Sequence, residues 1–157
     1  MGDDLKARLR ADLTATMKSH DQVAAATIRM ALTAITNAEV AGPQAKVLGQ
    51  DEVVAVLVKE AKRRDEAAEA FRAAGRAESA AREEAEGEVL RAYLPAPLTA
   101  DEVEAMVAAA VAEAEAEGLS GGRAMGAVMA ALKPATAGRT DGAVLASTVR
   151  RQLGLSR

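Results

Sequence analysis

Leu5, Leu9, Leu13 and Met17 recur at steps of four behind Asp3 and Asp4. That spacing predicts an amphipathic α-helix, and acidic residues at its start suit the positive end of the helix dipole. Ser19-His20-Asp21 reads as a tight turn with Asp21 as an N-cap. A second helix follows with Ile28, Leu32 and Ile35 on one face, so the two form a helical hairpin. After a Gly/Pro-containing loop at 41–50, Asp51 and Glu52 open a long helix through Val53, Leu57 and Ala61 to Phe71, stopped at Gly75. Residues 77–93 are expected as a fourth helix, with Ala81, Ala85, Val89 and Ala92 inward and Glu83, Glu84, Glu86 and Glu88 in solvent.

Leu94-Pro95-Ala96-Pro97-Leu98 is the clearest break in this pattern. Each proline lacks an N–H and disfavours helix in the residue before it. Beyond it, Thr99 and Glu102 form a capping box for a helix with Val103, Met106, Val107, Ala110, Val111 and Ala114 on one face and a stop at Gly118. Gly121-Gly122 turns the chain into a short helix with Met125, Val128, Met129 and Leu132 inward, expected to end at Pro134. Asp141-Gly142 starts the last one, with Val144, Leu145, Thr148, Val149 and Leu153 toward the core. The expectation is an all-α chain: an N-terminal helical subdomain at 1–94 and a small three-helix C-terminal bundle at 95–157.

Composition agrees with this reading. Half of the 157 residues are apolar, chiefly alanine, and Phe71 and Tyr93 are the only aromatic residues. Alanine and unbranched charged residues favour helix over strand. The absence of cysteine excludes disulfides and thiolate metal sites. With no signal-like start and no apolar run long enough for a bilayer, a cytoplasmic protein with no membrane partner is expected.

Net charge is −3, which excludes a generally basic nucleic-acid binder. The distribution along the chain is uneven. Residues 76–118 carry 3 basic and 11 acidic side chains, and residues 119–157 carry 6 and 1. The last quarter therefore reads as a basic module following an acidic middle.

Catalytic chemistry is hard to find. His20 is the only histidine and lies at a predicted turn, and no serine sits in a Gly-x-Ser-x-Gly elbow. Gly121-Gly122-Arg123 lacks the Lys-Ser/Thr ending of a phosphate loop and reads as a turn. The Glu83–Glu88 run projects from a helix at spreading angles, unlike the converging oxygens of a calcium loop. Neither a metal nor a cofactor is expected. Two basic clusters remain. Lys59, Lys62 and Arg63, with Arg64 beside them, lie on the third helix, where Glu66 is placed to pair with Lys59 and Arg63. Lys133, Arg139, Arg150 and Arg151, with Arg123 and Arg157, have only Asp141 as local opposing charge. Such local excess suits phosphate backbones or an acidic protein face. No aromatic residue follows position 93, which argues against base stacking.

Met125-Gly126-Ala127-Val128-Met129, then Leu132, Pro134, Gly138-Arg139 and Asp141-Gly142, resembles the C-terminal signature of the GatB/YqeY family. Ile28-Arg29-Met30, Phe71-Arg72-Ala73-Ala74-Gly75-Arg76, Glu83-Glu84-Ala85-Glu86 and Tyr93-Leu94-Pro95 occur in the order seen in YqeY-like proteins. The resemblance implies a helical N-terminal part joined to a three-helix tail. A similar tail ends the B subunit of the tRNA-dependent amidotransferase, where it contacts tRNA, and a related module is appended to some glutaminyl-tRNA synthetases. The amidotransferase active sites lie in other domains and subunits. The resemblance therefore implies a non-catalytic tRNA-binding accessory module, with docking to an aminoacylation-related protein as the alternative. A carbon–nitrogen ligase label would follow by association only. Ala127, Ala135 and Ala137 stand where YqeY-like tails often carry lysine, and Lys133 stands at an often apolar position. A monomer is compatible with all of this.

Overall fold

The computed structural model describes residues 4–155, which form seven helices and no strand. The chain divides into two compact units, one running to Pro95 and the other beginning at Ala96. Asp3 and Arg157 lie outside the described residues.

The first unit contains α1 (Leu5–Ser19), α2 (Gln22–Glu39), α3 (Gln50–Ala73) and α4 (Ala77–Arg91). Asp4 caps α1 by accepting from the backbone N–H groups of Lys6 and Ala7, and Asp21 caps α2 by accepting from Ala24. Between them His20 closes α1 at φ +60°, its N–H donating to the Thr16 carbonyl. Histidine tolerates this left-handed position better than a branched residue would. The core brings together Leu5 and Leu9 of α1, Ile28, Ala31 and Ile35 of α2, Val53, Leu57 and Ala61 of α3, and Leu90 of α4.

Two expected faces differ from the observed ones. Met17 is 53% exposed. Steps of four advance 40° per repeat on a helix with 100° per residue, so the row beginning at Leu5 has rotated away from the core by its fourth member. On α4 the buried residues are Ala80, Gly87 and Leu90, while Ala81, Ala85 and Ala92 are exposed and Val89 is half-buried. Glu83 and Glu86, expected in solvent, are half-buried, Glu83 on the inward stripe at 80, 83, 87 and 90 and Glu86 beside it. Alanine on every side of α4 concealed its true face.

Polar contacts join distant parts of this unit. Tyr93 donates its hydroxyl to Asp12 Oδ2 at 2.6 Å, with Arg8 stacked over its ring. Burial and then this carboxylate push the Tyr93 phenol well above its ordinary value. Glu39 accepts from Lys6 Nζ at 2.6 Å and from the Leu48 N–H, which hold its carboxyl below the usual range.

The second unit contains α5 (Ala100–Ala116), α6 (Gly121–Thr136) and α7 (Gly142–Gln152). Thr99 accepts from the Glu102 N–H, and Glu102 Oε2 accepts from the Thr99 N–H, completing the expected capping box. Gly118 ends α5 at φ +79°, where the Leu119 N–H reaches back to the Ala114 carbonyl. The core is built from Val103, Val107, Val111 and Ala114 of α5, Ala124, Val128 and Leu132 of α6, and Leu145 and Val149 of α7. α5 packs against both α6 and α7.

Pro134 does not end α6. It sits in the last turn, and the helix continues to Thr136, whose buried hydroxyl donates to the Leu132 carbonyl. A proline so near the end removes only one intrahelical bond, the one to the Ala130 carbonyl. Val144 also departs from expectation. It is 53% exposed because α7 turns Leu145, Thr148 and Val149 inward.

Candidate nucleic-acid interface

α6 and α7 present most of the cations singled out in the C-terminal region. Arg123 lies in the first turn of α6 and Lys133 in its last, ten residues apart, which is about 15 Å along the axis. Both are exposed, and neither makes an ion pair among the described residues. Arg150, in the last turn of α7, is likewise exposed and unpaired. These three are available to a ligand.

The other two are engaged. Arg139 follows α6, with its Nε donating to the Ala96 carbonyl at 3.1 Å while its own carbonyl accepts from the Leu98 N–H. Arg151 forms an ion pair with Glu104 of α5, and Gln152 donates to the same residue's carbonyl and carboxylate. Asp141 caps α7 by accepting from the Ala143 N–H. Expecting no opposing charge beyond Asp141 is therefore incorrect. The acid lies 47 residues upstream of Arg151, a separation at which sequence pattern gives no pairing signal.

The folded unit also changes the charge picture. From Ala96 onward the sequence carries seven acidic and six basic side chains, because α5 belongs with α6 and α7. The positive module exists only as a stretch of sequence. In the folded unit, cations on α6 and α7 share the surface with carboxylates on α5, of which Glu113, Glu115 and Glu117 are exposed.

At the start of α6 the Ser120 side chain makes no capping bond, and Gly121 has φ +56°. Gly121-Gly122-Arg123 is the first helical turn rather than a separate turn. Its uncapped N–H groups and the Arg123 side chain are the kind of donors that bind oxyanions.

The basic patch on α3 takes a different form from the one expected. Lys59 is exposed and unpaired, Lys62 is exposed but engaged, and Arg63 pairs with Glu60 at 3.0 Å rather than with Glu66. Arg64 is turned inward, its side chain 11% exposed, with Nε 3.0 Å from Glu86 and 3.7 Å from Glu83 of α4. Among the described residues, no group of three or more His, Asp or Glu side chains is arranged to hold a metal ion, and no helix is long and apolar enough to cross a membrane.

The ordered helices can be set beside known sequences. The model of the YqeY family, described as Yqey-like protein, matches residues 6–153, which takes in all but the edges of the seven-helix chain. The chain belongs to the YqeY-like family. Comparison with curated proteins gives no match. In this YqeY-like chain, Ala127 is half-buried on α6, whereas Ala135 and Ala137 are exposed. Lysine at 135 or 137 would therefore reach solvent next to Lys133.

Proposed function

We propose that this YqeY-like protein is a non-catalytic accessory module that contacts the backbone of a folded RNA, with tRNA as the RNA class, through Arg123, Lys133 and Arg150. The observation that carries this reading is that these three side chains are exposed without counter-ions while Arg139 and Arg151 are internally engaged. Cations spaced along a helix suit successive phosphates, and each contact contributes to affinity through counter-ion release. The uncapped start of α6 adds backbone donors beside Arg123. The tRNA assignment rests on the resemblance in sequence between residues 125–142 and the amidotransferase B-subunit tail.

Docking to a partner protein is the second reading. It is favoured by the carboxylates on α5, which lower the net charge of the unit and repel a polyanion. Amide transfer by the chain alone would need a nucleophile–base pair or a nucleotide site, and its sequence shows the pattern of neither.

Anisotropy with labelled total tRNA separates the first two readings. Three phosphate contacts give a log–log salt slope of about −2 to −3. The Arg123→Glu/Lys133→Glu/Arg150→Glu variant loses binding, and unstructured RNA competes poorly. Equal binding by wild type and variant overturns the RNA reading. Recovery of a stoichiometric protein after nuclease treatment then supports the second.

A further inference from the structure

α4 supplies little apolar surface to the first unit. Its buried positions are Ala80, Gly87 and Leu90, whereas α2 buries Ile28 and Ile35 and α3 buries Val53 and Leu57. Much of what α4 turns toward α3 is charge. Glu83 and Glu86 face Arg64, Glu84 pairs with Arg72, and Arg91 pairs with Asp65. Gly87 leaves room for that last contact, because a Cβ there would lie 3.1 Å from the Arg91 guanidinium.

The inner part of this charged seam is unbalanced. Glu60, Glu83 and Glu86 surround the single guanidinium of Arg64, and all four side chains are 20% exposed or less. Arg64 Nε and Glu83 Oε2 are shielded from water without a well-aligned hydrogen bond. Another Arg64 nitrogen, Nη2, points at the Met30 sulfur at 3.6 Å. Charges withdrawn from water with incomplete hydrogen bonding recover little of their desolvation cost. Removing the one cation would leave three shielded carboxylates facing one another.

The two ends of α4 are set by contacts outside the seam. Gly75, at φ +72°, forms the turn from α3, and just beyond α4 the Tyr93 hydroxyl is anchored on Asp12. The seam therefore lies between a hydrogen-bonded turn, in which the Arg76 N–H donates to the Phe71 carbonyl at 2.8 Å, and the Tyr93 tether.

We propose that α4 is a detachable element latched by Arg64, which opens from the first unit while α1, α2 and α3 remain folded. Opening separates Arg64 and Arg72 from the α4 carboxylates and uncovers apolar positions on α2 and α3. Local opening of this kind is a sub-global event, distinct from unfolding of the whole unit.

Native-state hydrogen exchange of the full chain in rising urea tests this. Amides of α4 exchange at least about tenfold faster than those of α2, through an opening with weaker urea dependence. Equal protection and equal urea dependence in α2 and α4 overturn the proposal. Arg64→Met tests the latch itself. It lowers α4 protection by a further factor of about ten or more and leaves α1 and α2 unchanged, and adding Glu83→Gln and Glu86→Gln restores part of the loss. If α1 and α2 lose protection equally, or neutralising the glutamates restores nothing, charge at Arg64 is not the latch. Should Arg64→Met fail to fold, the wild-type exchange pattern still decides whether α4 detaches.

Discussion

The hydroxyl of Tyr93 meets Asp12 from the opposite end of the first unit, with the Arg8 guanidinium over the ring. Ionising this phenol would place a second negative charge beside the carboxylate in a partly buried site. Its value in the folded chain is raised, so the associated stability is fully present below about pH 10, the ordinary tyrosine value, and is lost as pH rises beyond it. Tyr93 is the only tyrosine, so ultraviolet absorbance of tyrosinate reports this group alone. We expect no ionisation near the ordinary midpoint, and ionisation at higher pH together with loss of helical circular dichroism. Asp12→Asn moves the midpoint back toward the ordinary value, though burial keeps it above. An ordinary titration in a fully helical protein contradicts this account. The Tyr93-Leu94-Pro95 sequence was legible as a boundary, but its bond to Asp12, 81 residues away, was not.

The seven helices were legible because their ends carry chemical signals. Thr99 and Glu102 show this most directly, each accepting from the backbone N–H of the other. Thr99→Ala should cost about 1 kcal/mol, read from the urea midpoint, while Thr99→Ser should change it by a few tenths at most. An unchanged midpoint for Thr99→Ala would mean the cap adds nothing to stability. Helix faces were less legible where alanine dominates. On α4 every side offers alanine, and the inward stripe is marked by Glu83, with Glu86 beside it, both of which a polarity rule assigns to solvent. Pro134 misled for the opposite reason: a strong breaker placed one turn from a helix end removes too little to stop it.

Across the whole molecule, charge reads differently once the folded units are known. A boundary at residue 118 isolates a positive segment, whereas the second compact unit begins at Ala96 and includes the acids of α5. Arg123, Lys133 and Arg150 remain exposed and unpaired as the sequence suggested, but the engagement of Arg151 by Glu104 depends on tertiary packing. The two cores are composed of separate residues, so their losses should separate too. Leu9→Ala and Leu145→Ala each remove a buried side chain, at about 2–5 kcal/mol. Hydrogen exchange should show the first weakening protection in α2 but not α5, and the second the reverse. Equal effects in both places would mean that the units unfold together.

The packing of α5 against both α6 and α7 also sets an order of events during synthesis. Val103, Val107 and Val111 are made well before Leu145 and Val149, the residues that complete their cover. At 5–20 residues per second, the interval between Val111 and Leu145 is about 2–7 s. Until α7 has been made, the valine row of α5 has only α6 to cover it, and α7 is the helix that closes the unit.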